Sequence, residues 1–295
     1  GSELYGLYML KRRYVALILV LLCITTAAGV YHYTKPSKTI YSGFRALGWR
    51  GFSTGYWVNL TKRVASSIPG TSPAGIAIVG AVSTQTGICM LSFPSNQTYL
   101  NIVFEKQDIN EKYFTAFDDN GIKVWLQVEP GFADVDQLID LVLGRYLNHS
   151  CVLGFGIDLE WRWGLPDTRE TVPVTNEEAN RWVNKIKQYN PDFKLFLKHW
   201  LPKNMPSTAR EDIVFIDDAQ NFDGLDPLVN EFKSWGENFS QTDVGYQIGY
   251  RRDRDWWSQL EDPPREIGLA LIENIPNCRY IFWTDETIHE FFQPS

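Results

Sequence analysis

From residue 76 to residue 286 the chain alternates short apolar runs of β type with amphipathic helical stretches, and no other feature narrows the fold as far. The runs are IAIVGAV (76–82), ICMLSF (88–93), KVWLQVEP (123–130), GFGIDLEW (154–161), FKLFLKHW (193–200), IVFIDDAQ (213–220), DVGYQIGY (243–250) and RYIFWTDE (279–286). Helical stretches at 109–121, 134–149, 175–190, 225–239 and 265–275 lie among them. Strands separated by helices favour a parallel sheet, because a helix is the usual way to return the chain to the same edge. Eight strands over about 220 residues fit an α/β protein of the (β/α)8 TIM-type barrel class, with functional loops at the C-terminal strand ends. The first pair is irregular: only STQTG (83–87) separates the two runs, whereas a parallel crossover needs about 10–12 residues. Either these runs form a hairpin or the first barrel strand lies earlier, within residues 40–50. An open doubly wound sheet is the rival, but no G-x-G-x-x-G turn follows a strand.

The N-terminal region differs in kind. Lys11, Arg12 and Arg13 precede YVALILVLLCITTAAGVY (14–31), which carries no charge and is long enough to cross a hydrocarbon core of roughly 30 Å. The basic flank predicts a cytoplasmic segment 1–13, a transmembrane anchor 14–31, and an exported body. A cleaved signal peptide is the alternative, given the small residues Thr26 to Gly29. Residues 32–52 then read as a tether and 53–295 as the barrel. Asn59, Asn96, Asn148 and Asn238 each open a glycosylation sequon. Cys89, Cys151 and Cys278 would be exported, enough for one disulfide and one free thiol, and no Cys/His spacing suggests zinc. A net charge of −7 without a basic block speaks against nucleic-acid partners. No cofactor is expected, and the oligomeric state is left open.

Strand side chains alternate between two faces. In GFGIDLEW this sets Phe155, Ile157 and Leu159 against the helices and Gly154, Gly156, Asp158 and Glu160 toward the lumen, with both acids at the C-terminal end. The same parity groups Trp125, Gln127 and Glu129 in one run and Lys198 with Trp200 in the next but one. It adds Asp218 and Gln220, then Gln247, then Trp283 and Asp285. Six successive runs thus end in polar or aromatic groups that converge on one cavity, which a purely structural barrel does not require. Singly, each has a plainer reading, such as a salt bridge from Lys198 to Asp158 and Glu160.

The segment LGFGIDLE resembles the fourth-strand motif D-G-x-D-x-D-x-E of glycoside hydrolase family 18. Gly154, Asp158 and Glu160 match it, while Leu153 and Gly156 stand in place of the outer aspartates. The resemblance implies that Glu160 is the acid and that Asp158 supports an acetamido group of an N-acetylated sugar. It also implies a role for Trp283, since a tryptophan closes that family's last strand. The family's sixth-strand tyrosine motif has no counterpart in IVFIDDAQNF. The D-x-E pair is also similar to the barrel lysozymes of glycoside hydrolase family 25. Longer phrases such as GIKVWLQVEPG and FKLFLKHWLP resemble uncharacterised exported barrel proteins of archaea.

Glycoside hydrolysis needs a proton donor of raised pKa beside a carboxylate that stays ionised. Glu160 is the expected donor, and Asp158, Glu129, Asp218 or Asp285 the partner. Trp125, Trp161 and Trp283 would stack on sugar rings, and Gln127, Gln220 and Gln247 would bond their hydroxyls. The expectation is thus a membrane-anchored glycosidase acting on a carbohydrate of the cell envelope. A glycan-binding barrel without turnover, an envelope structural protein, and a Schiff-base lyase built on Lys198 are the alternatives.

Overall fold

The computed structural model describes residues 38–163 and 172–292. Ten strands occur among them: β1 (Ile40–Leu47), β2 (Thr71–Val82), β3 (Cys89–Leu91), β4 (Ile102–Phe104), β5 (Lys123–Val128), β6 (Val152–Asp158), β7 (Lys194–Lys198), β8 (Ile213–Asp217), β9 (Val244–Ile248) and β10 (Cys278–Thr284). Eight of these run parallel in the order β1-β2-β5-β6-β7-β8-β9-β10, and β1 pairs with both β2 and β10, closing the barrel. The helices are α1 (Thr54–Ser67), α2 (Glu111–Asn120), α3 (Val135–Tyr146), α4 (Asn176–Tyr189), α5 (Leu225–Asn238), the single turn α6 (Arg254–Trp257) and α7 (Pro263–Asn274). Their starts follow capping chemistry. Ser53 and Asp134 accept backbone N–H bonds at the starts of α1 and α3, and Thr175 with Glu178 forms a full capping box on α4.

Two expectations are corrected here. The run 88–93 is not a barrel strand: its core, β3, pairs antiparallel with the end of β2, Gly80 opposite Leu91, and β4 extends this flap. The first barrel strand is β1, so residues 40–52 belong to the barrel and not to a tether ending at 52. Its pattern is weak in sequence because the lumen face carries Tyr41, Gly43 and Arg45, while only Phe44 and Ala46 pack into the outer apolar layer. The five-residue gap after β2 is therefore a hairpin, and the parallel crossover to β5 runs through α2.

The lumen is solid below its mouth. Ala74, Ile76, Trp125, Phe196, Val214, Ile216, Tyr280 and Phe282 form a separate apolar cluster from five strands. Trp125 meets Phe196 and Tyr280 edge to face, at centroid distances of 5.3 and 5.5 Å. Gly156 makes this packing sterically feasible, since a Cβ there would stand 2.0 Å from the Phe196 ring. Layers of large side chains fill a barrel of this kind, so its chemistry is confined to the strand C-terminal ends.

Cys89, Cys151 and Cys278 are all buried free thiols, in contrast to the disulfide considered from the sequence. Each packs into the apolar layer beside a different strand. No helix among the described residues is long and apolar enough to cross a membrane. Residues 14–31, on which that expectation rested, lie outside the described residues.

Candidate functional site at the barrel mouth

The last residue of β7, Lys198, is the hub of the mouth. The register sets Asp158 of β6 directly beside it, and its Nζ lies 2.8 Å from Asp158 Oδ2. The same ammonium pairs with Asp218, just past β8, and stands 3.7 Å from Glu160 Oε2. Lys198, Asp158 and Asp218 are at most 3% exposed. Gln127 Nε2 reaches Asp158 Oδ2 at 3.4 Å. On the far side Tyr250 donates to Gln247 Oε1 at 3.0 Å and lies 3.5 Å from Asp218 Oδ2.

The strand ends at Asp158, so Glu160 is not a strand residue. It sits on a single 3-10 turn, Leu159–Trp161, which Asp158 caps by accepting the Glu160 N–H at 3.2 Å. Its carboxyl still reaches the lumen cluster while about a third of the side chain stays exposed.

A second group crowns β1. Arg45 lies 3.8 Å from Glu129 and 3.9 Å from Asp285. Glu129 Oε2 accepts the Val82 N–H at 3.1 Å. Asp285 Oδ2 accepts from Arg50 Nε at 2.7 Å and from the Leu47 N–H at 3.1 Å. The turn presenting Arg50 is strained: Trp49 and Arg50 hold φ values of 58° and 49°, a region that non-glycine residues rarely adopt.

These surroundings bias protonation. Burial pushes the Glu160 carboxyl up to about 7, against the pull of Lys198 and with the push of Asp158 and Asp218. Glu129 is also pushed up to about 7, by burial and then by Asp158, with Arg45 opposing. Burial raises Asp158 as well, opposed chiefly by Lys198. For Lys198, burial acts downward, yet Asp158 and Asp218 outweigh it and hold the amine well above its usual value. A Schiff-base nucleophile requires the opposite, an amine held neutral. The geometry therefore speaks against the lyase alternative.

Five buried polar atoms of this region have no hydrogen-bonding partner in the protein: Arg45 Nε, Gln247 Nε2, Gln127 Oε1, Asp218 Oδ1 and Asp285 Oδ1. Buried polar groups in folded proteins are almost always satisfied. Ordered water held inside a polar mouth satisfies such groups in folded proteins.

The remaining expected residues separate clearly. Trp125 is fully buried in the lumen floor, so it is no stacking platform. Trp283 faces outward, packed on Trp257 and Phe291 with its Nε1 donating to Thr287 at 2.8 Å. The parity of β10 is set by Tyr280 and Phe282, whose rings fill the lumen, which turns Trp283 away. Trp161 and Gln220 are half-buried in the loops after β6 and β8. Arg45, Arg50 and Tyr250 were absent from the sequence reading. Arg45 was recoverable from its i, i+2 spacing with Tyr41 and Gly43, whereas Arg50 and Tyr250 are placed by loops that carry no periodic signal.

Among the described residues, one other cluster has metal-ligand chemistry: Asp118, His149 and Cys151, with ligand atoms within 4.8 Å of one another. It lies at the N-terminal end of β6, away from the mouth. Its groups are already engaged, with Asp118 accepting from Cys151 N at 2.6 Å and Ser150 Oγ at 3.0 Å and contacting His149 Nδ1 at 2.6 Å.

Fold and site together define an eight-stranded parallel (β/α)8 barrel with a charged, polar mouth. No family model matches the chain, and no curated protein matches it. Solved structures with weak similarity include an endocellulase from Pyrococcus horikoshii complexed with cellotetraose, at 13% identity and a TM-score of 0.49, over 83% of this chain and 84% of that one. A further glycoside hydrolase gives 14% identity and 0.49 over 83% and 88%. A psychrophilic family 10 endo-β-1,4-xylanase gives 11% and 0.43 over 83% and 86%. Likeness at this level transfers no side-chain roles, so the reading of the site rests on this chain's own geometry.

Proposed function

We propose that the barrel mouth binds a glycan and that Glu160 donates a proton to a glycosidic oxygen held over it. The observation that carries this reading is the mixed set of donors and acceptors around the partly open Glu160 carboxyl, supplied by Lys198, Asp158, Asp218, Gln127 and Tyr250. A sugar presents adjacent hydroxyls that each donate and accept, and so suits a mixed set. A phosphate would call for donors alone, and an apolar ligand for neither. Glu160, with its carboxyl raised to about 7 and its side chain partly open, has the properties of a general acid. Asp218 is the partner carboxylate in this reading, with one oxygen held by Lys198. Asp158, engaged by Lys198, Gln127 and the Glu160 N–H, acts by positioning. Glu129 and Asp285 bind and orient through Arg45. The uncharged segment 14–31 supports an extracytoplasmic setting, anchored or secreted after cleavage, with an envelope polysaccharide as substrate.

One observation favours a second reading, a barrel that binds glycan without cleaving it. The glycosidase transition state is cation-like, and the Lys198 ammonium lies 3.7 Å from Glu160, where that charge would develop. Reducing-end release from envelope polysaccharides, measured for the wild type and Glu160→Gln, separates the two. Hydrolysis lost in the variant with binding retained supports catalysis. Binding by both without release identifies the binding barrel, and binding by neither refutes the carbohydrate assignment.

A further inference from the structure

The chain has eleven tryptophans, and their exposure is uneven. Trp49, Trp57, Trp125, Trp182, Trp235, Trp257 and Trp283 are at most 3% exposed, whereas Trp163 and Trp200 are 50% and 37% exposed. Both exposed indoles stand on loops at the mouth, after the adjacent strands β6 and β7. Asp158 faces Lys198 in register, so Glu160 and Trp200 each follow two residues beyond that pair, and Trp163 three beyond Glu160.

The backbone that carries Trp163 and the ring of Trp200 are both held. The Trp163 N–H donates to Gly131 O at 3.0 Å and the Gly131 N–H to Trp161 O at 2.7 Å, a short parallel bridge that extends β6 beyond its acids. Between them Arg162 is buried, paired with Glu178 and lying over the Trp182 ring. The backbone of Trp163 is fixed at φ 58°, a conformation persisting only where its surroundings impose it. Trp200 rests on the His199 ring at a centroid distance of 4.2 Å. That imidazole is tied to the Leu201 N–H at 2.9 Å and to Asn204 at 2.8 Å. Solvent-facing aromatic rings carried on a fixed backbone bind with less loss of conformational freedom.

We propose that Trp163 and Trp200 are stacking platforms for sugar rings beyond the one at Glu160, making the ligand a glycan chain rather than a single terminal sugar. This rests on the carbohydrate reading of the mouth. A pyranose ring carries an apolar face of C–H groups that packs on an indole, while its hydroxyls point sideways to polar partners. The polar groups around Glu160 serve one ring at the centre, and the two indoles extend the site along the β6–β7 rim.

The test uses the full-length chain carrying Glu160→Gln, to exclude turnover, with and without Trp163→Ala or Trp200→Ala. Calorimetric titration uses paired disaccharides and hexasaccharides of the cello, chito and xylo series. The proposal expects the hexasaccharide of at least one series to bind the parent more tightly than its disaccharide by about tenfold. Each tryptophan variant should remove much of that excess and leave disaccharide affinity unchanged, and Trp200→Phe should restore it. Equal affinities for both lengths, or hexasaccharide affinity unmoved in both variants, overturns the platforms and leaves the carbohydrate reading standing. Binding to no probe refutes that reading and this inference with it.

Discussion

Replacing Lys198 by Met keeps the length of the side chain and removes its charge, and the structure allows the consequence to be worked out. Asp158 Oδ2 lies 2.8 Å from Nζ, so at an effective dielectric of about 20 the gross attraction is about 6 kcal/mol for this pair. Asp218 loses the same cation. Desolvation of the ammonium offsets much of this in the wild type, but the variant leaves two buried carboxylates without a counter-ion. The net loss is therefore about 3–5 kcal/mol at neutral pH, the usual consequence of removing one partner of a buried pair. Asp158 is already raised by burial, with Lys198 the main opposing influence, so Asp158 takes up a proton more readily in the variant. Its deficit should shrink as the pH is lowered. Urea unfolding of Lys198→Met and wild type at about pH 5 and about pH 7.5 measures both effects through the midpoint and slope. A deficit below about 1 kcal/mol, or one equal at the two pH values, would refute the ion-pair account of the mouth.

The other predictions concern protonation and packing. Glu129 is raised to about 7 in the folded protein, so the folded state takes up its proton before the unfolded chain does. Its contribution to stability is present in acid and lost as the pH rises from its ordinary value of 4.5 toward about 7. Glu129→Gln should flatten that slope in a thermal-melt pH series, and an unchanged slope contradicts the assignment. If Glu160 is the proton donor, kcat/KM should fall as the pH rises above about 7, and a profile flat through that range removes it from the role. Gly156→Ala sets a methyl 2.0 Å from the Phe196 ring and should cost about 1–3 kcal/mol or more. Phe196→Leu should recover part of that cost in the double variant, whereas additive effects would show that the two positions do not share the lumen.

Much of the barrel was legible because its strands keep one face against helices. The period-two pattern of GFGIDLEW, FKLFLKHW and DVGYQIGY correctly set Asp158, Lys198 and Gln247 on the lumen side. Glu160 was grouped with the right neighbours for an incomplete reason, since the strand stops at Asp158 and a capped turn delivers the carboxyl. β1 was legible only as the alternative of an earlier strand within residues 40–50, because Gly43 and Arg45 interrupt its apolar pattern, and Arg45, which organises half of the polar crown, was not singled out. The tryptophans were the least legible. Large aromatics fill both the lumen floor and the outer layer, so Trp125 and Trp283 carry no parity signal that separates platform from core. Trp163 and Trp200 owe their exposure to loops whose course depends on the Gly131 bridge and the His199 ring. Hydrogen-bond partners are a three-dimensional property altogether, since those of Asp218 come from Lys198 on β7 and Tyr250 in the loop after β9.

The most direct measurement is a crystal structure of the Glu160→Gln protein soaked with the hexasaccharide it binds best. A central ring should lie over the Lys198, Asp158 and Asp218 cluster, with a glycosidic oxygen within hydrogen-bond reach of the substituted side chain at 160. Sugar density elsewhere on the surface, with the mouth filled by water alone, would contradict the assignment of this mouth as the glycan site.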